Sequence, residues 1–99
     1  MNNGLDPIIH QQTRLSIMAS ATEVAAASFT HLRDNLGLSD GNLSRHLTVL
    51  EEAGYVAITK TFKGKTPHTA VAATSDGTEA FKNYLNTLQS MIDAVQSRT

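Results

Sequence analysis

Small polar side chains that could hydrogen-bond to nucleic-acid bases and phosphates cluster in segment 39–56. Leu43, Leu47 and Leu50 recur at helical spacing, so the opposite face of this helix is expected to point outward. That outer face is polar and short of acid in its first turns, which suits hydrogen bonding to base edges and phosphates. The candidate contact residues on this helix are Ser39, Gly41, Asn42, Ser44, Arg45, His46 and Thr48.

The composition of that face does not distinguish a DNA-contacting surface from an ordinary solvated helix face, because the two look much the same. Gly41 would let the backbone come close to a ligand, and Arg45 and Asn42 are typical base-reading side chains. His46, on the flank of the helix, has two open interpretations, a helix-packing residue or a contact to the DNA backbone. The elements around the helix must therefore be considered.

The boundaries of this helix and of the one before it predict a helix-turn-helix at about residues 28–53. Ser39 is a favourable N-cap, and Gly54 can adopt the left-handed conformation that ends a helix. A shorter helix precedes it, with Ser28 as its N-cap and Gly37 at its end. Two helices joined by a short turn that contains glycine are typical of this motif.

A β-hairpin is expected next, at about residues 55–73, because β-branched and aromatic residues flank a turn cluster at 63–67. Its tip is basic, and lysines at a hairpin tip can contact phosphates or enter a minor groove. The alternative is a tip kept in solution by its lysines. The candidate contact residues of the hairpin are Lys60, Lys63, Lys65 and Thr66.

These segments together resemble a known family of regulators. The runs Gly-Asn-Leu-Ser-Arg-His-Leu at 41–47 and Leu-Glu-Glu-Ala-Gly-Tyr-Val at 50–56 carry the resemblance most specifically, supported by 14–18 and 29–38. They are similar to the small winged-helix transcriptional regulators of the MarR (multiple antibiotic resistance) and ArsR (arsenical resistance) group of prokaryotes. The resemblance covers about residues 5–88. It implies a homodimer that binds double-stranded operator DNA, with a recognition helix at 39–53 in the major groove and a wing at 60–68.

Length and composition are consistent with a single domain, residues 1–99, that is mainly α-helical with a small β-hairpin. Eight Lys and Arg against nine Asp and Glu give a net charge of −1, so any basic surface is local. The absence of cysteine excludes disulfides and thiolate metal sites. Without a recognisable signal peptide or a long apolar run, we expect a cytoplasmic protein that does not enter membranes.

Two further helices are expected at the ends, at about 6–25 and 75–96, and both are predicted to serve dimerisation. Pro7 suits a first turn, and the polar triplet 11–13 is a candidate interruption. Ser75 is a suitable N-cap for the last helix, whose apolar stripe extends past the globular part. The alternative is that the stripe packs on its own core. The expected interface residues are Ile8, Ile9, Phe81, Leu85, Leu88 and Ile92.

No enzymatic constellation emerges from the sequence. The four histidines are far apart and lack a second ligand at metal-binding spacing, so neither a metal nor another cofactor is expected. A winged-helix module that binds proteins rather than DNA is the alternative function, and the near-neutral charge favours it. The residues do not indicate whether a small-molecule effector exists. If one does, the dimer cleft is the expected place.

Overall fold

The computed structural model describes residues 4–98, which form four helices and a small antiparallel sheet. The fold is therefore mainly α-helical with a hairpin, as predicted. In chain order the elements are α1 (Gln12–Ala21), β1 (Ala27–Ser28), α2 (Phe29–Leu36), α3 (Asp40–Glu52), β2 (Val56–Lys63), β3 (Thr66–Ala73) and α4 (Ser75–Gln96).

The helix-turn-helix forms where its capping residues predict it. The Ser28 hydroxyl accepts a hydrogen bond from the His31 backbone N–H at 3.0 Å, and Ser39 does the same for Asn42 at 3.1 Å. Both caps satisfy N–H groups that have no partner within the helix. Gly37 ends α2 at φ 66°, a left-handed conformation that favours glycine. The two helices are consequently joined by a turn of three residues, 37–39.

The N-terminal helix is shorter than expected. Residues 7–10 form turns, and the helix begins only at Gln12. The Asp6 carboxylate accepts from the Ile8 backbone N–H at 2.8 Å, and such a local bond competes with helix formation. The Gln11 side chain then caps α1 by accepting from the Arg14 backbone N–H at 2.9 Å. The polar triplet 11–13 was predicted as a candidate interruption of this helix. It instead contains the N-cap, Gln11, and the first helical residue, Gln12.

The hairpin lies in a three-stranded sheet of order β1-β3-β2. Pairing of β2 with β3 runs from Val56 opposite Ala73 to Lys63 opposite Thr66, which leaves a two-residue turn. Gly64, the first turn residue, has φ 64°, as two-residue hairpin turns with glycine require. The short strand β1, in which Ala27 lies opposite Val71, was not predicted. Two residues are too few to show a period, so only the long-range pairing reveals this strand.

One core lies under the helices and the inner face of the sheet. Leu43, Leu47 and Leu50 are buried in it, as their spacing predicts. Ile9 is also fully buried, because the N-terminal turn folds this side chain into the core. The prediction that Ile9 belongs to a dimer interface is therefore wrong. Ile8, predicted with it, is half-buried and packs against the same core.

The C-terminal helix α4 begins one residue earlier than its predicted cap implied. Thr74, rather than Ser75, is the N-cap, and its hydroxyl accepts from the Gly77 backbone N–H at 2.9 Å. Phe81 and Leu88, which were expected at a dimer interface, pack partly against the core of their own chain. Leu85 and Ile92 are 44% and 40% exposed. No helix within residues 4–98 is long and apolar enough to cross a membrane.

Candidate nucleic-acid interface

The outward face of α3 is an exposed polar ridge. Six of the seven side chains or backbone positions predicted there are exposed: Ser39, Gly41, Asn42, Ser44, Arg45 and Thr48. A Cβ atom added at Gly41 would meet no atom within 4 Å, so the backbone at this position is open to solvent. A flat surface in the first turn of a helix allows close approach of a groove wall.

Two hydrogen bonds order the side chains of the polar ridge. The Arg45 guanidinium donates through Nη2 to Asn42 Oδ1 at 2.9 Å, which joins the two expected base-reading residues into one unit. The Thr48 hydroxyl donates to the Ser44 carbonyl at 3.0 Å. A side chain that is already held in place loses less rotamer entropy when it binds a ligand. The ridge is therefore partly preorganised.

His46 does not belong to the polar ridge. It is 9% exposed, and its Nδ1 lies 3.2 Å from Nη1 of Arg14 on α1. Burial lowers the pKa of His46, and the positive charges of Arg14 and Arg45 lower it further. The neutral imidazole can accept a hydrogen bond from the guanidinium. Of the two interpretations, helix packing is correct, and the prediction that His46 contacts DNA is wrong.

The spacing of His46 contained the signal for its burial. It lies three residues after Leu43 and four before Leu50, so it falls on the buried stripe of α3. Arg14 was not predicted as the partner of His46, because 32 residues separate the two in sequence. Its Nε also donates to the Ile8 carbonyl at 2.5 Å. One guanidinium thus links the N-terminal turn to α3.

The acid at the start of α3 is paired with a cation on α2. Arg33 donates through Nη1 to Asp40 at 2.9 Å and through Nε to Asp34 at 2.9 Å, and hydrogen bonds to these two carboxylates raise its pKa. Exposed pairs of this kind contribute little to stability. Here the pairing offsets the negative charge of Asp40 beside the polar ridge, where an unpaired carboxylate would repel phosphates.

The hairpin places its predicted contact residues in solvent. Lys60, Lys63, Lys65 and Thr66 are all exposed. Lys60 points to the same face of β2 as the core residue Val56 and lies opposite Thr69. Lys63 lies on the other face of the strand, next to the turn. Lysines therefore cover both faces and the tip of the hairpin.

A groove of about 710 Å³ separates the polar ridge from the hairpin. Ser44 and Thr48 line it from α3, and Lys60 and Thr69 line it from the sheet. The predicted contact residues of the helix and of the hairpin thus face a common space, although they are far apart in sequence. Asp40 and Glu51 also reach this groove. Its character is consequently mixed rather than uniformly basic.

Two further polar contacts tie the N-terminal turn to the rest of the fold. The Tyr55 hydroxyl donates to the Asp6 carboxylate, and this bond raises the pKa of Tyr55 to about 12. His10 Nδ1 lies 2.9 Å from the hydroxyl of Tyr84 on α4. Neither pair was foreseen, because 49 and 74 residues separate the partners. Within residues 4–98, no three potential metal ligands lie together.

A helix-turn-helix with an exposed polar second helix, followed directly by a lysine-tipped hairpin, defines the class of winged-helix DNA-binding regulators. The family model described as a winged helix DNA-binding domain matches residues 13–92, and the chain belongs to this family. A solved structure 34% identical to the chain is titled a transcriptional regulator homologue. The resemblance found in the sequence is thereby confirmed.

Proteins at different levels of sequence identity support the assignment to this family. The uncharacterized protein MJ0432 of Methanocaldococcus jannaschii is 38% identical over 79 residues, which cover 79% of this chain and 85% of that protein. A transcriptional regulator homologue from Pyrococcus horikoshii superimposes with a TM-score of 0.84 at 34% identity, covering 89% of this chain and 87% of its own. The regulator MOSR of M. tuberculosis, solved in complex with DNA, shares the fold at 17% identity, with a TM-score of 0.70 and coverage of 94% and 66%.

Proposed function

We propose that this protein is a homodimeric transcriptional regulator that binds specific DNA sequences, with α3 in the major groove and the hairpin on the adjacent backbone or minor groove. The observation that carries the proposal is the groove shared by Ser44, Thr48 and Lys60. It brings Ser44 and Thr48 of the polar ridge to the same space as Lys60 of the hairpin, so a duplex could contact both elements. Such a protein acts where the chromosome lies, in the cytoplasm of a prokaryotic cell.

Within α3, Arg45 and Asn42 are proposed to read bases. Arginine donates two hydrogen bonds to guanine, and asparagine pairs with adenine, both in the major groove. Their mutual hydrogen bond of 2.9 Å keeps the guanidinium over the first turns of the helix, the part that enters the groove in helix-turn-helix proteins. Ser39, Ser44 and Thr48 are proposed to contact phosphates or base edges.

The hairpin lysines are proposed to hold the phosphate backbone. Lys63 and Lys65 flank the turn at Gly64, and Thr66 follows on β3. Lysine on a flexible stem contacts phosphate as a point charge and contributes affinity without reading the sequence. The structure of MOSR in complex with DNA supports DNA as a ligand that this fold can bind.

A second copy of the chain is the proposed partner for α4. The helix spans 22 residues, or about 33 Å at 1.5 Å per residue, and the protein is 58 Å long but only 25 by 23 Å across. Leu85, Ile92 and Val95 recur on one side and are 44%, 40% and 60% exposed. A helix with an uncovered apolar stripe favours pairing with another helix. Phe81 and Leu88 would border this seam.

The division of labour on DNA is tested by comparing two variants on selected and random duplexes. Arg45→Ala should weaken binding to the selected site by about 1–3 kcal/mol and leave random binding less affected, because base contacts carry specificity. Lys63→Ala combined with Lys65→Ala should weaken all duplexes alike and reduce the salt slope by roughly one to two units. A titration by mobility shift at several salt concentrations measures both.

Matched control variants remove a lysine from α4 and an arginine that follows this helix. Lys82→Ala and Arg98→Ala each delete an exposed cation far from the hairpin turn in sequence, and they should retain wild-type binding. The assignment of base reading to α3 is wrong if Arg45→Ala lowers specific and random affinity equally. A wild-type protein that binds no duplex at low salt would refute DNA binding itself.

A further inference from the structure

Phe62 is an exposed aromatic side chain that none of the proposed contacts explains. It is 71% exposed, more than any other large hydrophobic residue in the part of the chain that the structure describes, the next being Val95 at 60%. A single exposed hydrophobic residue is unremarkable by its exposure alone. Its position on the hairpin, however, makes it informative.

The alternation of β2 places Phe62 on the inner face of the hairpin, yet beyond the reach of the core. Val56 and Ile58 share that face and pack with the core, and Lys60 follows in the groove. Phe62 lies six residues beyond Val56, or about 20 Å at 3.3 Å per residue. The inner face of β2 therefore becomes apolar again at Phe62, beyond the part of the strand that packs on the core.

The residue opposite Phe62 is also apolar. Phe62 pairs with Pro67, which is exposed as well. These two side chains form an apolar tip patch, Phe62 and Pro67, with Lys60 on one side and Lys63 and Lys65 on the other. The segment 56–73 contains three lysines and no acidic residue. Charge complementarity thus selects a polyanion as the ligand that brings an apolar surface to this tip.

We infer that the apolar tip patch is a minor-groove wedge: Phe62, backed by Pro67, packs against sugars and base steps while the neighbouring lysines hold the two phosphate strands. The inference rests on the proposed DNA-binding function and adds an apolar contact to it. Phenylalanine and proline are among the side chains that proteins insert between base steps from the minor groove. The wedge recognises the groove's shape and the ease of unstacking rather than a donor–acceptor pattern.

Self-association through the apolar tip patch is a poorer explanation of its exposure. Two copies that met at this patch would bring six lysines together, because each hairpin supplies Lys60, Lys63 and Lys65. Like charges at such proximity oppose association unless an anion lies between them. A duplex supplies that anion and also a narrow apolar surface, since the sugar edges line the minor groove.

The test uses the full chain and a short alternating A·T duplex that carries 2-aminopurine, a base whose fluorescence rises when it unstacks. Wild-type protein should increase the fluorescence on binding. Phe62→Ala should bind about tenfold more weakly and abolish the increase at saturation, while the salt slope stays at its wild-type value because no charge is lost. Phe62→Leu, which keeps an apolar wedge, should recover part of both signals.

Two controls separate this inference from folding and from the proposed function. Val24→Ala truncates another exposed apolar residue, 51% exposed and outside the hairpin, and it should behave as wild type. Lys63→Ala should lower affinity and the salt slope but keep the fluorescence increase of the bound state. Wild-type affinity and fluorescence in a folded Phe62→Ala protein would overturn the wedge. So would a change in its sedimentation without a change in DNA binding, whereas a wild-type protein that ignores the duplex refutes the proposed function instead.

Discussion

At the scale of single residues, one guanidinium links the N-terminal turn to α3. Arg14 donates to the Ile8 carbonyl and lies within hydrogen-bond distance of the buried His46. A half-buried arginine is stable there because both neighbours accept its N–H groups. The arrangement favours a neutral imidazole, since a charged one would lie 3.2 Å from the Arg14 guanidinium and would also be repelled by the charge of Arg45. The position of α3 is therefore coupled to the protonation of His46.

This coupling predicts a loss of stability in mild acid. The folded state lowers the pKa of His46 below its ordinary value of 6.5, chiefly through burial. Above pH 6.5 the imidazole is neutral in both the folded and the unfolded chain, so protonation of His46 does not reduce the free energy of unfolding. As the pH falls below it, the unfolded chain binds a proton that the folded chain resists, so the free energy of unfolding decreases until the folded pKa is reached.

Urea unfolding measured from about pH 7.5 down to about pH 5 should show this decrease. His46→Asn retains a side-chain acceptor for Arg14 but cannot be protonated in this range, so its pH profile should be flatter than that of the wild type. An equally steep decrease in the variant would show that His46 does not cause it. Helix content recorded at neutral pH establishes that the variant folds.

At the scale of elements, the start of α4 contacts the turn that follows α3. The Thr74 hydroxyl donates to the Gly54 carbonyl at 2.6 Å, and the Thr74 backbone N–H donates to the Tyr55 carbonyl at 3.0 Å. Gly77, in the first turn of α4, is buried against this segment. A Cβ atom there would lie 2.0 Å from the Tyr55 carbonyl oxygen, so only glycine permits the contact. The angle of α4 depends on this close approach.

Two glycine substitutions in helices should therefore have opposite effects on stability. Alanine usually stabilises a helix by about 0.5–1 kcal/mol relative to glycine. Gly41→Ala meets no neighbouring atom and should show this gain. Gly77→Ala must displace backbone, and we expect a net loss of about 1–3 kcal/mol. Thermal unfolding of the two variants measures the difference, and equal gains would contradict the close approach.

At the scale of the whole molecule, the proposed dimer decides how two recognition helices meet DNA. A two-fold axis between two copies of α4 would present the polar ridges to successive major grooves, roughly 34 Å apart. Binding of the second half-site then becomes intramolecular, which raises affinity without any new contact. In such a dimer the stripe of Leu85, Ile92 and Val95 would affect DNA binding without contacting the DNA.

Sedimentation at micromolar concentration should give twice the chain mass of 10.6 kDa. Ile92→Lys places a charge in the proposed seam and should raise the dimer dissociation constant at least about tenfold, because an unpaired buried charge is costly. Operator affinity should fall with it although no DNA contact has changed. Ser90→Lys adds the same charge on the opposite, exposed side of α4 and should remain dimeric. A monomeric wild-type protein excludes the seam.

The sequence by itself determined what depends on neighbours within a few residues. The caps at Ser28 and Ser39, the left-handed Gly37 and the turn at Gly64 all act through local hydrogen bonds and backbone sterics. Helical spacing likewise predicted which leucines of α3 are buried, and hence which residues form the polar ridge. These features required no knowledge of the rest of the chain.

Only the tertiary structure decided the features that depend on distant partners. Ile9 was expected at an interface but lies inside, and the hydrogen-bond partner of His46, Arg14, is 32 residues away in sequence. The strand β1 exists only through β3, and Gly77 is required only because the Tyr55 carbonyl lies against it. The periodicity of the sequence shows which face of a helix or strand is apolar. The free energy of packing and hydrogen bonding between distant segments determines which other part of the protein that face contacts.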